Sequence, residues 1–178
     1  MARKKKTRDQ RALNEETMLV FLKLIATAKR KLSTKDFVAK IQQRYPESRP
    51  LRTHNTLNHL KHDAYIRFER GIHPTLTEKG ELYLESYSQK QKTHWDKRFR
   101  IILFDSIETT TNNREYIRAK IKHYGFIQLV RGAWIYPYPS DALIALLKLE
   151  YKLKSPIVYL VTQDTESMAP IRKYFRLR

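Results

Sequence analysis

The sequence predicts an α+β chain in two parts, and three observations carry that prediction. Residues 14–92 read as three helices, a hairpin and a further helix, with apolar residues three and four apart giving way to alternation around an Arg70-Gly71 turn. Residues 95–178 read as strands and helices in the order βαββαβ, led by the unbroken apolar run Ile101–Phe104. Lys and Arg number 36 against 18 Asp and Glu, a net charge of +18 over 178 residues. So large an excess favours a polyanionic partner, because each phosphate contact releases condensed counterions.

Residues 1–13 form a basic arm with no apolar periodicity, expected to lack structure of its own. Its Lys4, Lys5 and Lys6 are candidate phosphate contacts. Asn14 is placed to cap the first helix, with Glu15 and Glu16 in the first turn and Met18, Leu19, Leu22, Ile25 and Ala26 on one face. Ser33 and Thr34 open a second helix carrying Phe37, Val38 and Ile41, which Pro46 stops. A third helix runs from Pro50 to about Asp63, with Thr53, Leu57, Leu60 and Ala64 expected on the buried side. Its other side presents Arg52, Asn55, Thr56 and His59. Arg and Asn are the common readers of guanine and adenine edges, and a solvated face would more often be rich in Glu and Lys.

Tyr65–Glu69 and Thr75–Thr77 flank the Arg70-Gly71 turn as a hairpin. A hairpin directly after a base-reading helix is a wing, so the first part reads as a winged helix-turn-helix domain over residues 14–92. Arg67, Arg70 and His73 sit at the wing. A helix from Glu78 to Lys92 follows, and the polar stretch SQKQKTH is the expected linker.

In the second part, strand Phe99–Phe104 ends on Asp105. A helix from about Asn113 carries Ile117, Ile121 and Tyr124 and is capped by Gly125. Strands Phe126–Val130 and Ala133–Tyr136 flank Arg131-Gly132, Ser140 caps a helix with Leu143, Ile144, Leu146 and Leu147, and Ile157–Val161 is the last strand. The order is that of a ferredoxin-like domain, assigned to residues 95–178. A short helix or strand near Pro170–Phe175 closes the chain. Trp134, Tyr136 and Tyr138 form an aromatic patch, read either as core or as a dimer seam, with base stacking as a further reading.

With no Cys the chain has no disulfide or thiolate chemistry. It has no apolar run of the ~18 residues that a membrane span needs and no secretory pattern at its N-terminus. A cytoplasmic protein without a membrane partner is expected.

Two stretches carry resemblances. Leu57–Gly80, with leucines three apart, an Ile-led strand and LTEKG closing the hairpin, resembles the winged-helix transcription regulators. WDKRFRIILFD followed by GFIQLVRGAWIYPYP resembles the central domain of the PaaX family of repressors of phenylacetate catabolism. That domain is itself similar to the small CRISPR-associated protein two, the partner of the CRISPR integrase. The family order, winged helix then ferredoxin-like domain, matches residues 14–165. PaaX proteins usually continue into a further C-terminal region that this chain, ending at Arg178, is expected to lack, so acyl-CoA sensing is not carried over. The resemblance implies a homodimer through the ferredoxin-like domains and double-stranded DNA, as an inverted repeat, as the partner.

The resemblance also implies alternatives. In nuclease relatives an Asp ending the first strand of each protomer brackets a divalent ion, and Asp105 stands at that position. A metal-dependent nuclease would use Asp105 as catalytic residue and as ligand for Mg²⁺ or Mn²⁺ across a dimer. The same Asp reads equally as the cap of the following loop. A third reading is an adaptation subunit that presents DNA to an integrase. DNA binding itself requires no cofactor.

Overall fold

The computed structural model describes residues 8–28, 31–46, 50–90, 94–104, 111–151, 157–163 and 168–177. Among them are seven helices and two antiparallel sheets, an α+β architecture. The chain divides into two compact units, Met1–Leu84 and Glu85–Arg178.

In the first unit, helices α1 (Arg8–Thr27), α2 (Thr34–Arg44) and α3 (Pro50–His62) precede a hairpin of β1 (Ile66–Glu69) and β2 (His73–Leu76). Helix α4 (Glu78–Lys90) follows, and the division between the units falls within it. Helix α1 starts at Arg8 rather than at Asn14, so residues 8–13 of the expected arm are helical. No Gly or Pro interrupts Arg8–Thr27, and Arg, Gln, Ala and Leu favour helix. The start of α2 is a capping box: the Asp36 N–H donates to Ser33 Oγ at 3.2 Å while the Ser33 N–H reaches the Asp36 carboxylate. The core joins Phe21, Leu22, Leu32, Phe37, Ile41, Leu57, Leu60, Tyr65 and Ile66.

Helix α3 ends on Ala64, whose φ of 59° is left-handed although it is not glycine. The Ala64 N–H donates to the Lys61 carbonyl and the Tyr65 N–H to the Leu60 carbonyl, at 3.0 and 2.8 Å, a Schellman closure. Ala64 was expected on the buried side of α3; this reversal of the backbone leaves it exposed. Thr77 then ties the hairpin's exit to the same place. Its Oγ1 donates to the Ala64 carbonyl at 2.6 Å and its N–H to the Tyr65 carbonyl at 3.1 Å. Gly80 packs so closely that a Cβ there would lie 2.2 Å from the Tyr65 carbonyl oxygen.

In the second unit, β3 (Arg98–Leu103), α5 (Thr111–Tyr124), β4 (Ile127–Val130), β5 (Ala133–Tyr136), α6 (Asp141–Tyr151), β6 (Val158–Gln163) and α7 (Ala169–Phe175) follow in order. The sheet runs β4-β5-β3-β6 with every neighbour antiparallel, an order that fits a ferredoxin-like fold of two interleaved β-α-β units. One sheet face carries Ile102, Trp134, Tyr136 and Tyr159 into a core completed by Ile117, Ile121, Leu143, Ile144 and Leu147 of α5 and α6. Lys120 of α5 and Glu150 of α6 pair at 2.5 Å with little exposure.

Residues 85–90 of α4 belong to this unit rather than to a linker. The Tyr124 hydroxyl donates to the Ser86 carbonyl at 3.1 Å, and Gln89 Oε1 accepts the Ala142 N–H at 3.2 Å. Gln89 thus does the capping expected of Ser140, whose buried hydroxyl pairs instead with Tyr159 at 3.2 Å. Gly125 closes α5 as expected, at φ 120°, with the Phe126 N–H on the Ile121 carbonyl.

Arg100 is the buried charge of this unit. It donates from NH1 and NH2 to the two oxygens of Asp96, at 2.6 Å each, and to the carbonyls of Arg98 and Pro137. The hydrogen bond from Arg100 holds the Asp96 carboxyl below the usual carboxylate range. Its folded value therefore lies below its unfolded one. The stabilisation is complete above about pH 4 and is lost as pH falls through the lowered folded value.

Gly80→Ala should destabilise the first unit by about 2–3 kcal/mol, since the backbone oxygen it meets cannot rotate away. Ala64→Gly should stabilise it by about 1 kcal/mol by relieving the left-handed backbone. Urea titration followed by circular dichroism checks both signs. Asp96→Asn should cost about 2–3 kcal/mol at pH 7, the worth of a charge-assisted hydrogen bond. It should also flatten the loss of stability as pH falls below about 4, as measured by denaturant midpoints across that range.

Candidate nucleic-acid interface

From Pro50 to His62, helix α3 contains no carboxylate. Burial of Thr53, Leu57 and Leu60 fixes its rotation, since these residues, three and four apart, must share the inward stripe. The opposite side is thereby turned outward, and Arg52, Asn55 and His59 are all exposed. Asn58 and His62 extend the same side, at helical spacing from Asn55 and His59, and are exposed as well; that spacing is the sequence signal for them. The Nδ1 of His62 lies 3.0 Å from the Asp63 carboxylate. Thr56 behaves differently from its neighbours. It is half-buried, and its hydroxyl donates back to the Arg52 carbonyl at 3.0 Å.

The hairpin follows immediately. Arg70 and Gly71 both have positive φ, 49° and 73°, and the Ile72 N–H donates to the Glu69 carbonyl across them. The register pairs Glu69 with His73, so Arg70, Gly71 and Ile72 make the loop, and its two left-handed residues fall where glycine or a tolerant residue is needed. Arg67 and Arg70 are exposed on the hairpin. His73 is committed elsewhere: its Nδ1 lies 3.1 Å from the Leu32 carbonyl, which can only accept, so the ring faces the segment between α1 and α2. The same segment is anchored at the turn, where both the N–H and the hydroxyl of Thr34 donate to the Ile72 carbonyl at 2.9 and 2.8 Å. Lys31, in that segment, pairs with Glu69, and Arg67 NH2 lies 3.8 Å from the same carboxylate. No sequence signal links Lys31 to Glu69, which is 38 residues away, and only the fold brings them together.

Arg52, Asn55, His59, Arg67 and Arg70 thus lie in one unit on consecutive elements. Lys4, Lys5, Lys6 and Asp105 lie outside the described residues. Among the described residues no group of three or more His, Asp and Glu side chains could hold a metal ion.

Two of the three residues expected at a dimer seam are core. Trp134 and Tyr136 are buried against Phe104, Tyr124 and Phe126 of their own unit, and burial pushes the Tyr136 hydroxyl up to about 12. Tyr138 is half-buried against Tyr136, ring centroids 5.4 Å apart. The other sheet face carries the exposed apolar groups. Ile101 and Leu103 are paired across β3 and β6 with Leu160 and Val158, and Leu103, Val158 and Leu160 are 39–45% exposed. Their alternation with the buried Ile102 puts them on the face away from α5 and α6. No helix among the described residues is long and apolar enough to cross a membrane.

Comparison with known proteins bears on the second unit. No curated protein and no solved structure matches the chain. Residues 92–173, a little under half of the sequence, match the family model of the PaaX protein central Cas2-like domain. The second unit is therefore similar to the central domain of PaaX-type regulators.

Proposed function

We propose that the protein is a PaaX-type transcriptional regulator that binds double-stranded DNA as a homodimer, acting as a repressor. The observation that carries this reading is the carboxylate-free outer face of α3, Arg52, Asn55 and His59, followed directly by a hairpin presenting Arg67 and Arg70. The three-helix unit with its hairpin is read as a winged helix-turn-helix. In it α3 enters the major groove and the hairpin cations meet phosphate. The net charge of +18 supplies the sequence-independent attraction on which base reading is superimposed.

The similarity of residues 92–173 to a PaaX central domain supports assigning assembly to the second unit. The dimer seam is the sheet face away from α5 and α6, where Leu103, Val158 and Leu160 leave apolar surface exposed, rather than the buried aromatic patch. Two copies joined there present two α3 helices, so the operator is an inverted repeat. Metal-dependent cleavage rests on Asp105 alone, and no observation favours it or an integrase partner.

Arg52→Ala combined with Asn55→Ala should weaken binding to the operator at least about 30-fold, the worth of one or two bidentate base contacts. Binding to unrelated duplex should weaken far less, and gel shifts against the DNA upstream of the protein's own gene, with a scrambled competitor, separate the two. An unchanged operator affinity would refute base reading by α3. Val158→Asp combined with Leu160→Asp should give a folded monomer by light scattering. A dimer that survives both substitutions would exclude the open sheet face as the seam.

A further inference from the structure

The hairpin of the first unit carries a carboxylate where a nucleic-acid surface should have none. Glu69 stands at the end of β1, next to the Arg70-Gly71 turn, and is partly exposed. It pairs with Lys31 and lies 3.8 Å from Arg67 NH2, and these two cations are themselves two-thirds exposed. All three groups line one cavity of about 350 Å³, whose floor is Leu32, Phe37 and Pro74. Its other carboxylate is Glu81, so two cations face two anions there. The hydrogen bond from Lys31 holds the Glu69 carboxyl below the usual range, and it is ionised at neutral pH.

The backbone that follows Lys31 is fastened to the hairpin at two points, by His73 to the Leu32 carbonyl and by Thr34 to the Ile72 carbonyl, which keeps the base of the Lys31 side chain beside Glu69. A carboxylate between a Lys and an Arg occupies the kind of place that a phosphate oxygen would take, with the same charge-assisted donors. Exposed ion pairs of this kind are weak, so a competing phosphate can displace the carboxylate.

We propose that Lys31 and Arg67 form a phosphate-contact pair whose place Glu69 holds in the free protein, so that duplex DNA docks by exchanging this carboxylate for a backbone phosphate. This inference rests on the reading of the first unit as a DNA-binding module. It adds Lys31 as a contact residue and makes Glu69 a brake on sequence-independent binding. The exchange favours the correct site, where base contacts by α3 help drive it, over random sequence, where phosphate contacts must drive it alone.

The test is fluorescence anisotropy of the full chain on a random-sequence duplex, over a salt titration. Glu69→Gln should tighten binding about three- to tenfold, the combined worth of two exposed ion pairs. Glu81→Gln, in the same cavity but outside the Lys31 and Arg67 pairs, should change it by less than about twofold, reporting net charge alone. In a Lys31→Ala, Arg67→Ala background the gain from Glu69→Gln should disappear, and the salt slope should fall by about one to two. Equal gains from both glutamates, no gain from Glu69→Gln, or a gain that survives in the double-alanine background would overturn the exchange while leaving DNA binding intact. A wild-type chain that binds no duplex at any salt concentration would overturn both.

Discussion

The first unit depends on the junction at Ala64 and Tyr65. There α3 ends, the hairpin begins, and the start of α4 returns to close on the same two carbonyls. Thr77 donates to both of them, and Gly80 lets the α4 backbone come within a distance that no side chain would allow. The left-handed Ala64 sets the angle at which the chain leaves α3. Because α3, β1 and α4 are tied at one point, the outward side of α3 and the turn at Arg70-Gly71 are held in one fixed relation. A surface that reads DNA needs this, since phosphate contacts fix register only when base-reading side chains are rigidly placed relative to them.

The second unit solves a different problem. Its central strand β3 is paired on both edges, and the face carrying Ile102 is filled by α5 and α6. On the other face Phe99 and Ile135 are buried, while Leu103, Val158 and Leu160 stay 39–45% exposed. Buried Arg100 is tolerated because Asp96 engages both of its terminal nitrogens and the carbonyls of Arg98 and Pro137 share the second proton of NH1, although its Nε is buried without an acceptor among the described residues.

Local chemistry made most of the fold legible. The Arg70-Gly71 turn, the Gly125 cap, the Ser33 start of α2 and the succession of strands and helices in the second unit all follow from short-range signals. The misses are long-range. Helix α1 begins at Arg8 because nothing in Arg8–Ala12 opposes helix, a weak preference easily read as an unstructured basic tail. Gln89 takes the capping role of Ser140 across 53 residues, and no pattern in the sequence announces such a bond. The same holds for the site. Arg52, Asn55 and His59 were readable from helical spacing, whereas Lys31 beside Glu69 was not. His73 and Thr56 have the right chemistry for DNA but are turned to their own backbone. An aromatic cluster shows that rings are packed, not against what, and Trp134 and Tyr136 proved to be packed within their own unit.

On the proposed function, the outer side of α3 and the adjoining hairpin are the surface that meets DNA. The most direct measurement is the backbone amide spectrum of the isotopically labelled protein titrated with duplex DNA. On that reading the largest shifts should fall on residues 52–62 and 67–72, with the buried residues of β3 and β5 unmoved. Shifts confined to residues 95–177, with α3 and the hairpin silent, would contradict it.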